Sequence, residues 1–158
     1  FYVQGVGWLY LVIVLDWYSK KVVGYKLDTR SRSKEWLEAL NMAVLEQCPH
    51  GSRQHQLCLV SDNGSQPTSV AFMKACDSLG LKQINTSYSN PKGNAETERF
   101  MRTFKEEVFW PFEYESYDQA INAVKEFIRF YNEKYVNSAL GYLSPVEFEK
   151  KEKMKNAA

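Results

Sequence analysis

Residues 8 to 15, Trp-Leu-Tyr-Leu-Val-Ile-Val-Leu, form an unbroken apolar run rich in β-branched side chains. A run of this kind is the pattern of a strand covered on both faces, so it is expected to be a central strand. Asp16-Trp-Tyr-Ser-Lys makes a turn, and Lys21 to Leu27 returns as a second strand, its antiparallel hairpin partner. Phe1 to Val3 reads as the tail of an earlier strand. The opening Phe-Tyr-Val-Gln has neither an initiating methionine nor the basic and apolar regions of a signal peptide, and reads as a cut end.

Helical spacing begins after Ser33, a candidate N-cap, with Trp36, Leu37, Leu40, Ala43 and Val44 recurring until Pro49 stops the pattern. A polar loop leads to a short apolar run, Leu57 to Val60, that ends at Asp62. Thr68 or Ser69 caps a second helix that Gly80 terminates, and Leu81 to Thr86 is a short strand. Three strands, a helix, a strand, a helix and a strand make a mixed α/β sheet with helices against it, not an all-parallel wind. Residues 87 to 94 are turn-rich. Helices follow from Ala95 to Phe109, where Trp110-Pro111 breaks the pattern, and from Tyr117 to Tyr131, which has the clearest periodicity of the chain. Ser144-Pro145-Val146-Glu147 has the form of a capping box opening a final helix.

The chain has 158 residues, the size of one domain with a real core, and no linker or internal repeat divides it. No apolar run is long enough to span a membrane. Twenty Lys and Arg against 19 Asp and Glu give a net charge of +1, so any nucleic-acid contact must come from a local patch. Cys48, Cys58 and Cys76 contain no Cys-x-x-Cys pair, which suits reduced thiols and a cytoplasmic location. Cys48, His50, His55 and Cys58 match no common structural-zinc spacing.

Two carboxylates carry the chemistry. Asp62 closes a strand and Glu98 lies in the first turn of a helix, with 35 residues between them. Acids fixed on a strand end and a helix can hold a hard divalent cation through oxygen, which magnesium and manganese prefer. Each has a bland rival. Asp62-Asn63-Gly64 alone is the sequence of a tight hairpin turn, and an acid in a helix's first turn is favoured by the dipole. Glu98 shares a face with Arg102 and Lys105, which is either a solvated salt-bridge stripe or a phosphate-holding one. Lys92 and Arg99 add to the local positive charge.

Four segments in order resemble a known family: Tyr10 to Tyr25, Ser61-Asp62-Asn63-Gly64-Ser65, Gly93-Asn94-Ala95-Glu96-Thr97-Glu98-Arg99-Phe100, and Tyr131-Asn132-Glu133-Lys134 through Leu140-Gly141-Tyr142-Leu143-Ser144-Pro145. Together they resemble the catalytic core of retroviral integrases and, more closely, of bacterial insertion-sequence transposases of the Asp-Asp-Glu type. The resemblance covers nearly the whole of residues 1–158 and implies a ribonuclease H-like fold, a mixed central sheet of about five strands flanked by helices. It makes Asp62 the second catalytic acid and Glu98 the third, both ligands in a two-metal magnesium or manganese site. Lys92, Asn94, Arg99, Arg102 and Lys105 become the DNA-binding set.

The family's first acid lies in an Asp-x-Thr segment upstream of Phe1, so the metal site is expected to be incomplete and the chain inactive by itself. Asp16 matches instead the aspartate after the family's second strand. Tyr135-Val136-Asn137 departs from the Arg-Pro-His often found there. The implied function is metal-dependent cleavage of element-end DNA and transfer of the 3′-hydroxyl into target DNA, by a homodimer or higher oligomer. A nuclease on the same fold and a non-catalytic DNA-binding or assembly module are the alternatives.

Overall fold

A computed structural model describes residues 1–86 and 95–156. Tyr2–Val3 (β1) pairs antiparallel with Gly7–Trp8 (β2), and Tyr10–Leu15 (β3) pairs antiparallel with Val22–Asp28 (β4). Helix α1, Ser33–Gln47, leads on to Cys58–Ser61 (β5). Helix α2, Val70–Leu79, connects β5 to Lys82–Asn85 (β6), and β5 and β6 run parallel, as a helical crossover requires. Three further helices follow: α3 (Ala95–Phe104), α4 (Tyr117–Glu133) and α5 (Pro145–Asn156).

The sheet differs from expectation. Among the described residues there are three two-stranded ladders in place of one sheet of five strands, and β3 and β5 are not hydrogen-bonded to each other. The run at 8 to 15 is broken at Leu9. Trp8 and Tyr10 are largely exposed, so this segment is not covered throughout on both faces. The β-branched signal reports strand propensity and burial against helices, but it cannot report which edge is paired.

Two apolar clusters form. Leu11, Ile13 and Leu15 pack against a core that contains Phe100, Phe104, Val124, Phe127 and Ile128, from α3 and α4. Leu40, Phe72, Cys76 and Leu81 form a second core, with Trp36, Val44 and Leu59 around it. Gly24 makes the contact between α1 and β4: a Cβ there would lie 2.2 Å from the Ala39 carbonyl oxygen and 2.9 Å from Ala43 N and Cβ.

The helix ends follow local chemistry. The Ser69 hydroxyl accepts from Phe72 N, and Gly80 stops α2 in the left-handed conformation at φ 69°. Helix α1 starts differently from expectation. Arg32 is its N-cap, and the Glu35 carboxylate accepts from Arg32 N at 2.8 Å. The Ser144–Glu147 box forms, with Ser144 N donating to Glu147 Oε2 at 2.9 Å. The expected helix to Phe109 becomes α-helical to Phe104 and then a π-helical turn over Lys105–Phe109, closed by Trp110 N donating to Lys105 O.

Asn132 has a role that sequence reasoning did not foresee. Its side-chain oxygen accepts from Val22 N and its amide nitrogen donates to Val22 O, both at 2.9 Å, so α4 is bound to the start of β4. Removing that side chain orphans two groups of buried Val22. Asn132→Ala is therefore expected to cost about 2–4 kcal/mol of stability, with Asn132→Asp, which keeps the acceptor, in between. Gly24→Ala forces backbone against backbone and is expected to cost about 2–3 kcal/mol. Thermal or urea unfolding checks all three.

Candidate active site

Asp62 follows β5 directly, and the loop that carries it is tied to two other elements. Thr86 N donates to Ser61 O at 2.8 Å, and Asn63 Nδ2 donates to Thr86 O at 3.0 Å, which fixes the loop to the end of β6. Gln66 Nε2 donates to Ser31 O at 2.9 Å, which fixes it to the start of α1. Within the loop, Gly64 N donates to Asp62 Oδ1 at 2.9 Å. This is a local Asx turn that leads into α2, not the hairpin that Asp-Asn-Gly alone suggests. Gly64 matters for room: a Cβ there would lie 2.9 Å from Asp62 Oδ1.

Glu98 sits on α3, whose orientation comes from its aromatic side. Phe100 and Phe104 are buried, and Phe100 meets Tyr131 edge-on with ring centroids 4.9 Å apart. Burial pushes the Tyr131 phenol up to about 12, so it stays neutral in this contact. The opposite side of α3 carries Glu98, Arg99 and Arg102, all exposed, and Lys105 is exposed on the turn beyond. Among the described residues none of these four belongs to an ion pair, so the salt-bridge stripe is not formed. Lys92 and Asn94 lie outside the described residues.

A cleft of about 640 Å³ is lined by a chain neighbour of each acid and by neither acid itself. It lies between β3 and β5, with Leu40, Ala43 and Val44 of α1 along it, and its lining includes Ser61 and Thr97. The residues that follow these two are Asp62 and Glu98. The Lys20–Glu96 ion pair, at 3.2 Å, ties the turn after β3 to the first turn of α3. Among the described residues no group of three His, Cys, Asp and Glu side chains is arranged to hold a metal ion.

Asp16 also lines the cleft, but its carboxylate serves its own turn. It accepts from Tyr18 N and Ser19 N, each at 3.1 Å, and from Ser19 Oγ at 2.6 Å. Of the four zinc candidates, Cys48 is buried in α1's C-cap and Cys58 is an exposed strand residue.

Residues 1–91 match the integrase core domain family, and residues 79–145 match a second family described in the same words. The chain belongs to the integrase core domain family. Its relatives include the transposase for insertion sequence element IS904 of Lactococcus lactis, 31% identical over 145 residues that make up 91% of this chain and 56% of that protein. The putative transposase InsK for insertion sequence element IS150 of Escherichia coli is 30% identical over 140 residues, 89% of this chain and 48% of that protein. The chain thus spans about half the length of these relatives.

Solved structures give the fold. The catalytic core domain of BIV integrase superposes with a TM-score of 0.63 at 17% identity, over 94% of this chain and 90% of that one. The simian T-cell lymphotropic virus intasome gives 0.63 at 20% identity, over 87% and 46%. The ribonuclease H-like reading of the integrase core therefore holds, with its sheet in separate pairs.

The hydrogen bonds distinguish Asp16, whose carboxylate accepts three, from Asp62, which accepts one within its own turn, and Glu98, which among the described residues accepts none. Asp62→Asn and Glu98→Gln are expected to change stability by no more than about 0.5 kcal/mol. Asp16→Ala is expected to cost about 1–2 kcal/mol through the lost turn. Thermal unfolding of the three variants checks this.

Proposed function

We propose that this chain is the catalytic core of a bacterial DNA transposase that cuts element-end phosphodiesters and joins the freed 3′-hydroxyl to target DNA. The observation that carries the reading is the pair Asp62 and Glu98, each directly after a residue of one cleft, one on a pinned strand end and one on a packed helix. Membership of the integrase core family and likeness to insertion-sequence transposases support it.

The donor set fits a hard divalent cation: both side chains are carboxylates, and both are exposed. Asp62 and Glu98 are the ligands, and a further acid in the segment upstream of Phe1 completes the set. When bound, a pair of magnesium or manganese ions supplies Lewis-acid charge that activates water or a 3′-hydroxyl and stabilises the leaving oxygen. The chain's own part is to hold these carboxylates rigidly and to fix the DNA backbone. Arg99, Arg102 and Lys105 contact phosphates, and Lys92 and Asn94 extend that set. These contacts position the duplex and carry no base readout.

The active form is a homodimer or higher oligomer. Exposed Trp8, Trp110 and Phe112 are residue types that interfaces favour. The three free cysteines suit the reducing cytoplasm. Among the described residues no helix is long and apolar enough to cross a membrane.

The test is an assay of nicking and strand transfer on element-end DNA with magnesium or manganese, using residues 1–158 and a chain that extends upstream. The extended chain is expected to cut and join, and Asp62→Asn or Glu98→Gln to lower either step by at least about a hundredfold. Residues 1–158 alone are expected to do neither. Joining that survives both substitutions contradicts the reading, and metal-dependent cutting without joining favours a nuclease on the same fold.

A further inference from the structure

We infer that Lys20 is a positioning residue for the metal site: through Glu96 it fixes the first turn of α3, and with it the carboxylate of Glu98. The inference rests on the metal-binding reading proposed above.

Lys20 is an unexpected residue for its place in the chain. Its backbone is left-handed at φ 59°, a conformation that glycine adopts freely and lysine only at a cost. Its side chain is 14% exposed, so the ammonium is largely out of water and needs partners. It has two. Nζ donates to Trp17 O within the turn and lies 3.2 Å from Glu96 Oε1 on α3. Glycine would serve the turn better, so what the lysine adds is the reach to α3.

The turn is a firm base for that reach. Asp16 N donates to Lys21 O at 2.8 Å, which closes the turn from within. Lys21 Nζ lies 3.2 Å from Glu46 Oε1 near the end of α1 and 3.3 Å from Glu149 Oε2 on α5. Tyr18 OH donates to Glu152 Oε2 at 2.8 Å, and its ring meets Phe148 edge-on with centroids 5.2 Å apart. A turn held to α1 and α5 thus reaches α3 through Lys20.

Helix α3 needs that hold at its start. Phe100 and Phe104 fix the body of the helix in the core, but they lie beyond Glu98. Among the described residues no other ion pair or side-chain hydrogen bond involves residues 95 to 98. Glu96 and Glu98 are two apart on the helix and point to different sides. The ion pair therefore grips the turn from behind and leaves the Glu98 carboxylate exposed for a cation. Charge alone works the other way, because a lysine near a cation site repels the cation. A positioning role and a bare charge effect predict opposite signs when the lysine is removed.

Lys20→Gly separates the two, because it removes the ammonium and suits the left-handed turn. The midpoint of thermal unfolding is expected to hold or rise. In the metal-free chain, the Arg99 and Phe100 amides, which bond to the carbonyls of Ala95 and Glu96 in a regular helix, are expected to exchange at least about fivefold faster, with those of α4 unchanged. Manganese titration, followed by amide broadening at Thr97 and Glu98, is expected to show affinity about tenfold weaker. Lys20→Arg, which keeps the ion pair, is expected to retain both the slow exchange and the affinity. Exchange at Arg99 and Phe100 that Lys20→Gly leaves unchanged overturns the inference, and so does manganese binding that is unchanged or tighter, the latter being the result of lost charge alone. No broadening at Thr97 and Glu98 in the parent chain overturns the metal-binding reading and the inference with it, whereas an unmoved exchange rate overturns the inference alone.

Discussion

The fold depends on how closely α1 lies on β4. At Gly24 the helix backbone comes so near the strand that no side chain fits between them. This contact sets one face of the β3–β4 ladder against α1, while Leu11, Ile13 and Leu15 are held by the aromatic core of α3 and α4 on the other. Both helices that matter for the cleft are thereby fixed to the same pair of strands. The first turn of α3 inherits that rigidity, and the Asp62 loop shares in it through the Gln66 bond to Ser31 at the start of α1.

Rigidity at the cleft comes mostly from backbone hydrogen bonds and amide side chains, not from charge. Asn63, Gln66 and Asn132 each bridge two elements through one or two bonds. The ion pair that touches the region, Lys20 with Glu96, joins partly exposed groups and is worth little as stability. It does set the turn that Asp16 organises beside the start of α3. Among the described residues Glu98 accepts no hydrogen bond, and Asp62 accepts one, from Gly64 N within its own turn. That division of labour is what a metal-dependent site requires.

Much of this was legible in the sequence, because it was written in local chemistry. The periodicity of α4, the Ser69 cap, the Gly80 stop and the Ser144–Glu147 box each follow from residue type and spacing. Strand pairing was not legible. The apolar run at 8 to 15 says that a strand forms but not that one edge meets β4 and the other lines a cleft. The π-helical turn after Phe104 and the hold of Asn132 on Val22 are products of packing between distant segments, and no short window contains them. At the candidate site, the spacing of the two acids, taken with the family resemblance, singled them out as candidates. Their attachment to one cleft emerged only when Ser61 and Thr97 were brought to its wall.

The central claim is that Asp62 and Glu98 hold divalent cations in one shared site. Manganese titration of the isotope-labelled chain, followed by paramagnetic broadening of its amide resonances, tests it directly and tolerates weak binding. The account predicts that amides around Ser61 to Gly64 and around Thr97 to Glu98 broaden together at the same manganese concentration, and that Asp62→Asn or Glu98→Gln relieves the broadening at both. Broadening centred elsewhere, or at one of the two segments alone, would contradict it.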